Sequence, residues 1–168
     1  HSDHVLAKIT PSSGQSFESS FDKILVAVGR KPNSQNLNLE NTKVSLTDQK
    51  FIKTNEHCMT TDPYVFAIGD VVADGNQQKF GLAHVATTQG KVAVDVILGS
   101  NRIYNPLAVP AVVFTDPEVA WCGLTETQAR IKKQAIEVCS FPWIASGRAT
   151  TLGDNEGLTK LIIDPETT

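Results

Sequence analysis

Apolar and polar positions change rhythm several times along this chain. Val5, Ala7 and Ile9 alternate with Leu6, Lys8 and Thr10, a two-residue period that predicts a strand. Pro11-Ser12-Ser13-Gly14-Gln15 is rich in turn formers, and Phe21 to Val28 then reads as a second strand, so the pair predicts a hairpin. Gly29-Arg30-Lys31-Pro32-Asn33 stops it, because proline brings no N–H to a ladder. Val44-Ser45-Leu46 and Phe51-Ile52-Lys53 flank the polar turn Thr47-Asp48-Gln49-Lys50 and predict a short hairpin. Val65-Phe66-Ala67-Ile68 is continuously apolar, the mark of a short strand buried on both faces of a parallel sheet. Gly69 lets the backbone turn after it. A polar loop, Ala73 to Lys79, follows.

The period then lengthens. From Leu82-Ala83-His84 onward, Val85, Ala86, Val92, Ala93, Val96 and Ile97 recur at helical intervals until Gly99. Gly90 inside this helix costs about 1 kcal/mol against alanine, which points to close packing. Pro106 and Pro110 mark a boundary. Ala111–Thr115 and Val119–Gly123 read as strands around Asp116-Pro117-Glu118. Thr125 with Gln128 is a capping box opening a helix from Glu126 to about Gln134. Ala135 to Phe141 and Leu158 to Ile163 supply two further strands, so residues 106–168 predict an antiparallel α+β domain.

Composition narrows the function. The chain has 168 residues, 40% of them hydrophobic and 20% charged, as in a soluble globular protein. Net charge is −3 with scattered basic residues, which argues against nucleic acid. With no run of about 18 apolar residues and no signal-like start, neither membrane spanning nor secretion is expected. Cys58, Cys122 and Cys139 form no CxxC or metal-ligand spacing, and no metal is expected. They read as small apolar fillers in a reducing, cytoplasmic compartment. His57 and His84 read as structural, and Ser146-Gly147-Arg148 as a surface loop rather than a phosphate grip.

Asp70 stands just past the predicted strand, where open α/β sheets hold ligands. Its carboxylate could accept hydroxyl hydrogen bonds or simply cap the turn. The start of the helix at Ala83 offers unpaired N–H groups and partial positive charge to an electron-rich partner. Gly29, taken alone, is an ordinary strand-to-turn glycine.

Ala67-Ile68-Gly69-Asp70 resembles the second flavin-binding motif of the FAD- and NAD-dependent disulfide oxidoreductases. Ala27-Val28-Gly29-Arg30-Lys31-Pro32-Asn33 resembles that family's return from the NAD domain to the FAD domain. Phe114-Thr115-Asp116-Pro117-Glu118-Val119-Ala120-Trp121 resembles the opening of its interface domain, in the form found in dihydrolipoamide dehydrogenases rather than in glutathione or mercuric reductases. The loop from Val71 to Gly81 looks longer and more polar than in the dihydrolipoamide dehydrogenase form of that family. The resemblance implies that Asp70 binds the ribityl chain of FAD. It also implies that the backbone at Ala83 meets the flavin's pyrimidine side and that Gly29 lies against the nicotinamide of NAD.

The implied organisation is a central-to-C-terminal piece of a longer enzyme, with an α/β fragment followed by α+β. Residues 1–40 would be the tail of the NAD-binding domain and 41–105 the returning part of the FAD-binding domain. Residues 106–168 would form the first half of a dimerisation domain, giving a homodimer. No GxGxxG, no cysteine pair four residues apart and no His-x-His-Pro segment occurs. No catalytic residue is therefore expected in this chain, and none of the family's turnover from it alone. The whole enzyme would reoxidise dihydrolipoamide through a redox disulfide and FAD, deliver hydride to NAD and serve lipoyl-bearing 2-oxo acid dehydrogenase complexes. A non-catalytic dimerisation or binding module, or a sister disulfide reductase, are the alternatives.

Overall fold

A computed structural model describes residues 4–73 and 81–167, which fall into two units, His1–Lys31 and Pro32–Thr168. Residues 74–80, most of the predicted polar loop, lie outside the described residues.

In the first unit, β1 (Val5–Ile9) and β2 (Phe17–Phe21) pair antiparallel, from Val5 opposite Phe21 to Ile9 opposite Phe17. The Pro11–Gln15 break makes the turn, with the Gly14 N–H donating to the Pro11 carbonyl at 3.5 Å. The returning strand is not Phe21–Val28 as expected. The turn brings the chain back by Phe17, so the register has reached Val5 by the time Phe21 arrives. Ile24, Leu25, Val26 and Val28 outrun β1 and stay exposed, Leu25 at 91%.

In the second unit the predicted hairpin at 44–53 forms as a bridge between Leu46 and Ile52, and Lys53 N–H donates to the Ser45 carbonyl at 3.0 Å. The expected buried strand Val65–Ile68 does not form. Phe66 makes a single antiparallel bridge with Met59, Ala67 N–H donates to the Cys58 carbonyl at 3.1 Å, and Ile68 is 38% exposed. The Thr60 hydroxyl and N–H both bond the Val65 carbonyl, at 2.8 and 3.0 Å, tying the run into a tight local loop. Parallel pairing comes later, where Ile52 bridges Val72.

The helix α1 (Ala83–Ile97) matches its periodicity and ends at Gly99, which has φ +91°. Val92 and Ala93 bury against Cys58, with Phe66, Val96 and Tyr104 packed around them. After α1 the chain folds back: Tyr104 N–H donates to the Glu56 carbonyl at 2.7 Å, and His57 Nδ1 lies 2.8 Å from the Arg102 carbonyl. The second contact fits the structural reading of His57. Cys58 is 3% exposed and burial pushes its thiol pKa up, as a filler requires. Cys122 and Cys139 are exposed and are not fillers.

Residues 106–168 are antiparallel throughout, as expected. Strands β3 (Ala111–Val113) and β4 (Val119–Trp121) pair, as do β5 (Glu137–Pro142) and β6 (Leu158–Ile163). The helix α2 (Glu126–Lys132) opens on the predicted capping box, with Gln128 N–H donating to Thr125 Oγ1 at 3.2 Å and Thr125 N–H to Gln128 Oε1 at 3.0 Å. Ser146-Gly147-Arg148 is not a loop: Ser146 caps α3 (Gly147–Leu152), its hydroxyl accepting from Ala149 N–H at 3.3 Å. Serine is a strong N-cap, and a cap outweighs one helix-breaking glycine just inside it. Among the described residues no helix is long and apolar enough to cross a membrane.

Candidate functional site

Asp70 sits, exposed, in the one-turn 3-10 helix Gly69–Val71, immediately after the apolar run. That turn needs a glycine at 69 for two reasons. Its φ is +71°, in the left-handed region that side chains resist. An added Cβ would also lie 3.0 Å from the Cβ of Ala86 on α1. The backbone therefore approaches the helix as closely as two small residues allow.

Three positions of one α1 face hold the turn. Ala86 meets Gly69, and Gly90 leaves room for Ile68, whose Cδ1 would lie 3.4 Å from an added Cβ. Between them Gln89, only 9% exposed, accepts the Gly69 N–H on its Oε1 at 2.7 Å. Positions 86, 89 and 90 share a helix face by the i, i+3, i+4 rule. The close packing expected at Gly90 is what Ile68 uses.

Ala83 is the first residue of α1 and is exposed, and no side-chain hydrogen bond caps the helix. It lies three residues, roughly 4.5 Å of helical rise, before Ala86 on the same face. The start of α1 and the Asp70 turn are thus brought together by the Gly69–Ala86 contact. An acceptor carboxylate near the positive end of a helix suits a ligand that offers hydrogen-bond donors close to an electron-rich group. His84 is exposed, and its carbonyl accepts from the Thr88 hydroxyl at 2.9 Å.

Gly29 belongs to the other unit. Its φ is +155° and an added Cβ would meet nothing within 4 Å, so its surroundings are open. The loop that enters the site is anchored by Asp62, whose carboxylate accepts from the backbone N–H groups of Lys43 at 3.0 Å and Tyr64 at 3.1 Å. These bonds hold its pKa below the ordinary 3.8. An open cleft of about 650 Å³ lies elsewhere, along Ser34–Glu40, Thr42, Val44, Leu46 and Lys50, and contains neither Asp70 nor Ala83.

The residue that sequence reasoning missed is Gln89. A polar residue inside the stripe Ala86, Val92, Ala93 is the available signal, since a buried amide must find a partner.

Residues 2–90 match the family described as pyridine nucleotide-disulphide oxidoreductase, and residues 109–168 match its dimerisation domain. The chain is 40% identical over 147 residues to a dihydrolipoyl dehydrogenase of Vibrio cholerae, covering 88% of this chain and 30% of that protein. It is 43% identical over 164 residues to a dihydrolipoyl dehydrogenase of Thermus scotoductus, covering 98% and 34%. Among solved structures it resembles the HOCl-induced flavoprotein disulfide reductase RclA of Escherichia coli. The TM-score there is 0.80 at 26% identity, covering 99% of this chain and 37% of that one. The chain thus spans about a third of the length of the relatives it matches.

Proposed function

The chain belongs to the pyridine nucleotide-disulphide oxidoreductase family, and from that premise we propose that it is part of an FAD-containing enzyme that oxidises dihydrolipoamide to lipoamide, delivering hydride to NAD. The observation that carries this reading is the carboxylate turn at Asp70, held against the start of α1 by Gly69, Ala86 and Gln89. The identities of 40–43% to dihydrolipoyl dehydrogenases, against 26% to the RclA reductase, support the lipoamide branch over its sister reductases.

In this reading FAD, when bound, supplies the two-electron relay between a dithiol and the nicotinamide. Asp70 accepts hydrogen bonds from the ribityl hydroxyls. The first turn of α1 at Ala83 favours negative charge on the flavin's pyrimidine side by about 0.3–1 kcal/mol, enough to tune a potential but not to fix a ligand. Gly29 leaves space for the nicotinamide. Residues 1–40 belong to the NAD-binding domain, 41–105 to the FAD-binding domain and 106–168 to a dimerisation domain.

Exposed Val112, Val113, Phe114, Val138, Phe141, Leu158 and Leu161 on the two C-terminal hairpins support a homodimer through residues 106–168. The setting is cytoplasmic, and the partners are lipoyl-bearing 2-oxo acid dehydrogenase complexes. With Cys58, Cys122 and Cys139 as its cysteines, the chain alone supplies no dithiol pair and turns over no substrate.

The test is Asp70→Ala in the full-length protein that carries this chain, read as FAD affinity on reconstituting the apoprotein. Losing hydrogen bonds to a charged acceptor, at about 1.5–3 kcal/mol each, weakens binding tenfold or more. Unchanged affinity refutes the site. Lipoamide-dependent NADH turnover is expected from the full-length protein and not from the 168-residue chain.

A further inference from the structure

The buried residues of α1 are Gln89, Val92 and Ala93, and Gln89 alone of them carries a polar side chain. It accepts a backbone donor, the Gly69 N–H, at 2.7 Å. The neighbouring contacts at Ala86 and Gly90 are van der Waals contacts, which set distance but not orientation. A hydrogen bond is directional, so the amide oxygen of Gln89 fixes the rotation of the peptide entering Gly69. The next residue is Asp70. The backbone that carries the carboxylate is therefore oriented in part from inside the helix, by a group that need not reach the ligand.

We propose that Gln89 is a positioning residue for flavin binding, acting through the Gly69 N–H to aim the Asp70 carboxylate at the ribityl hydroxyls. This rests on the reading of Asp70 in the preceding section. Gln89→Met keeps the length and apolar bulk of the side chain but removes the acceptor. Gln89→Glu keeps an acceptor oxygen at the same reach.

The experiment measures the Kd for FAD of the full-length apoprotein by flavin absorbance and fluorescence, with Asp70→Ala and the Asp70→Ala/Gln89→Met double variant alongside. Gln89→Met is expected to weaken FAD about tenfold, the loss of one buried hydrogen bond. Gln89→Glu should stay within about threefold of wild type, since its carboxylate still accepts the Gly69 N–H. The double variant should bind no more weakly than Asp70→Ala, because a residue acting through Asp70 has nothing left to aim.

Wild-type affinity in Gln89→Met, failure of Gln89→Glu to restore binding, or independent multiplication of the two losses would each overturn the proposal. Should methionine prevent folding, Gln89→Ala, which favours the helix, tests the same bond with the same expected loss. If Asp70→Ala leaves affinity unchanged, the carboxylate site itself fails, and this proposal with it. If Asp70→Ala weakens FAD while Gln89→Met does not, the site stands and only the role of Gln89 falls.

Discussion

Gly69→Ala is the substitution on which the geometry of the site bears most directly. Alanine at φ +71° pays the left-handed penalty, about 1–2 kcal/mol. Its Cβ must also sit 3.0 Å from the Cβ of Ala86, on a helix packed against the Cys58–Val92–Ala93 core and unable to retreat freely. Overpacking of that kind costs about 1–3 kcal/mol. Against these, alanine narrows the unfolded ensemble and returns about 0.4–1 kcal/mol. The net loss is roughly 1–4.5 kcal/mol, centred near 3.

Urea unfolding followed by circular dichroism measures it, with Gly14→Ala as control. Gly14 has open space around it and no positive φ, so that change should stay within about 0.5 kcal/mol of wild type. Repeating Gly69→Ala in an Ala86→Gly background removes the steric part and leaves the backbone part. The two backgrounds should therefore differ by about 1–3 kcal/mol. A Gly69→Ala protein within 0.5 kcal/mol of wild type, or no difference between backgrounds, refutes the close approach of the turn to α1.

Asp62 gives a pH signature. Its carboxyl pKa is lowered by the Lys43 and Tyr64 N–H groups, so it stabilises the fold above the ordinary value of 3.8 and ceases to do so as pH falls through the lowered value. Between about pH 5 and pH 2 the wild type should lose more stability than Asp62→Asn, and equal losses in urea titrations would contradict the assignment. The thiols give a second signature. Iodoacetamide at about pH 8 should modify exposed Cys122 and Cys139 well before Cys58, whose pKa is raised by burial. Mass spectrometry showing equal rates would refute the buried position of Cys58.

Elements held by local rules were readable from the residues. The capping box at Thr125 and Gln128, the α1 period with its stop at Gly99, and the β3–β4 hairpin all follow from contacts within about ten residues, while β5 and β6, which pair across a longer connection, show themselves by their apolar runs. What escaped depends on side-chain bonds to the backbone, on register or on distant partners. Val65–Ile68 looks like a buried strand by composition, but the Thr60 hydroxyl holds its first carbonyl in a local loop. The apolar run to Val28 looks like the second strand, yet the turn at Pro11–Gln15 had already assigned Phe17–Phe21 to that place. Asp70 and Ala83 were legible as neighbours of a turn and a helix start. Gln89 was not, because its role exists only once α1 lies against Gly69.

The run Ile24–Val28 also bears on how this polypeptide behaves in a test tube. A β-prone, uncharged stretch left in the open is a template for indiscriminate strand addition between molecules. Its borders carry the usual brakes, Lys23 on one side and Arg30, Lys31 and Pro32 on the other. Clumping should therefore rise steeply with concentration and ease in low salt, where those cations repel one another across adjoining copies.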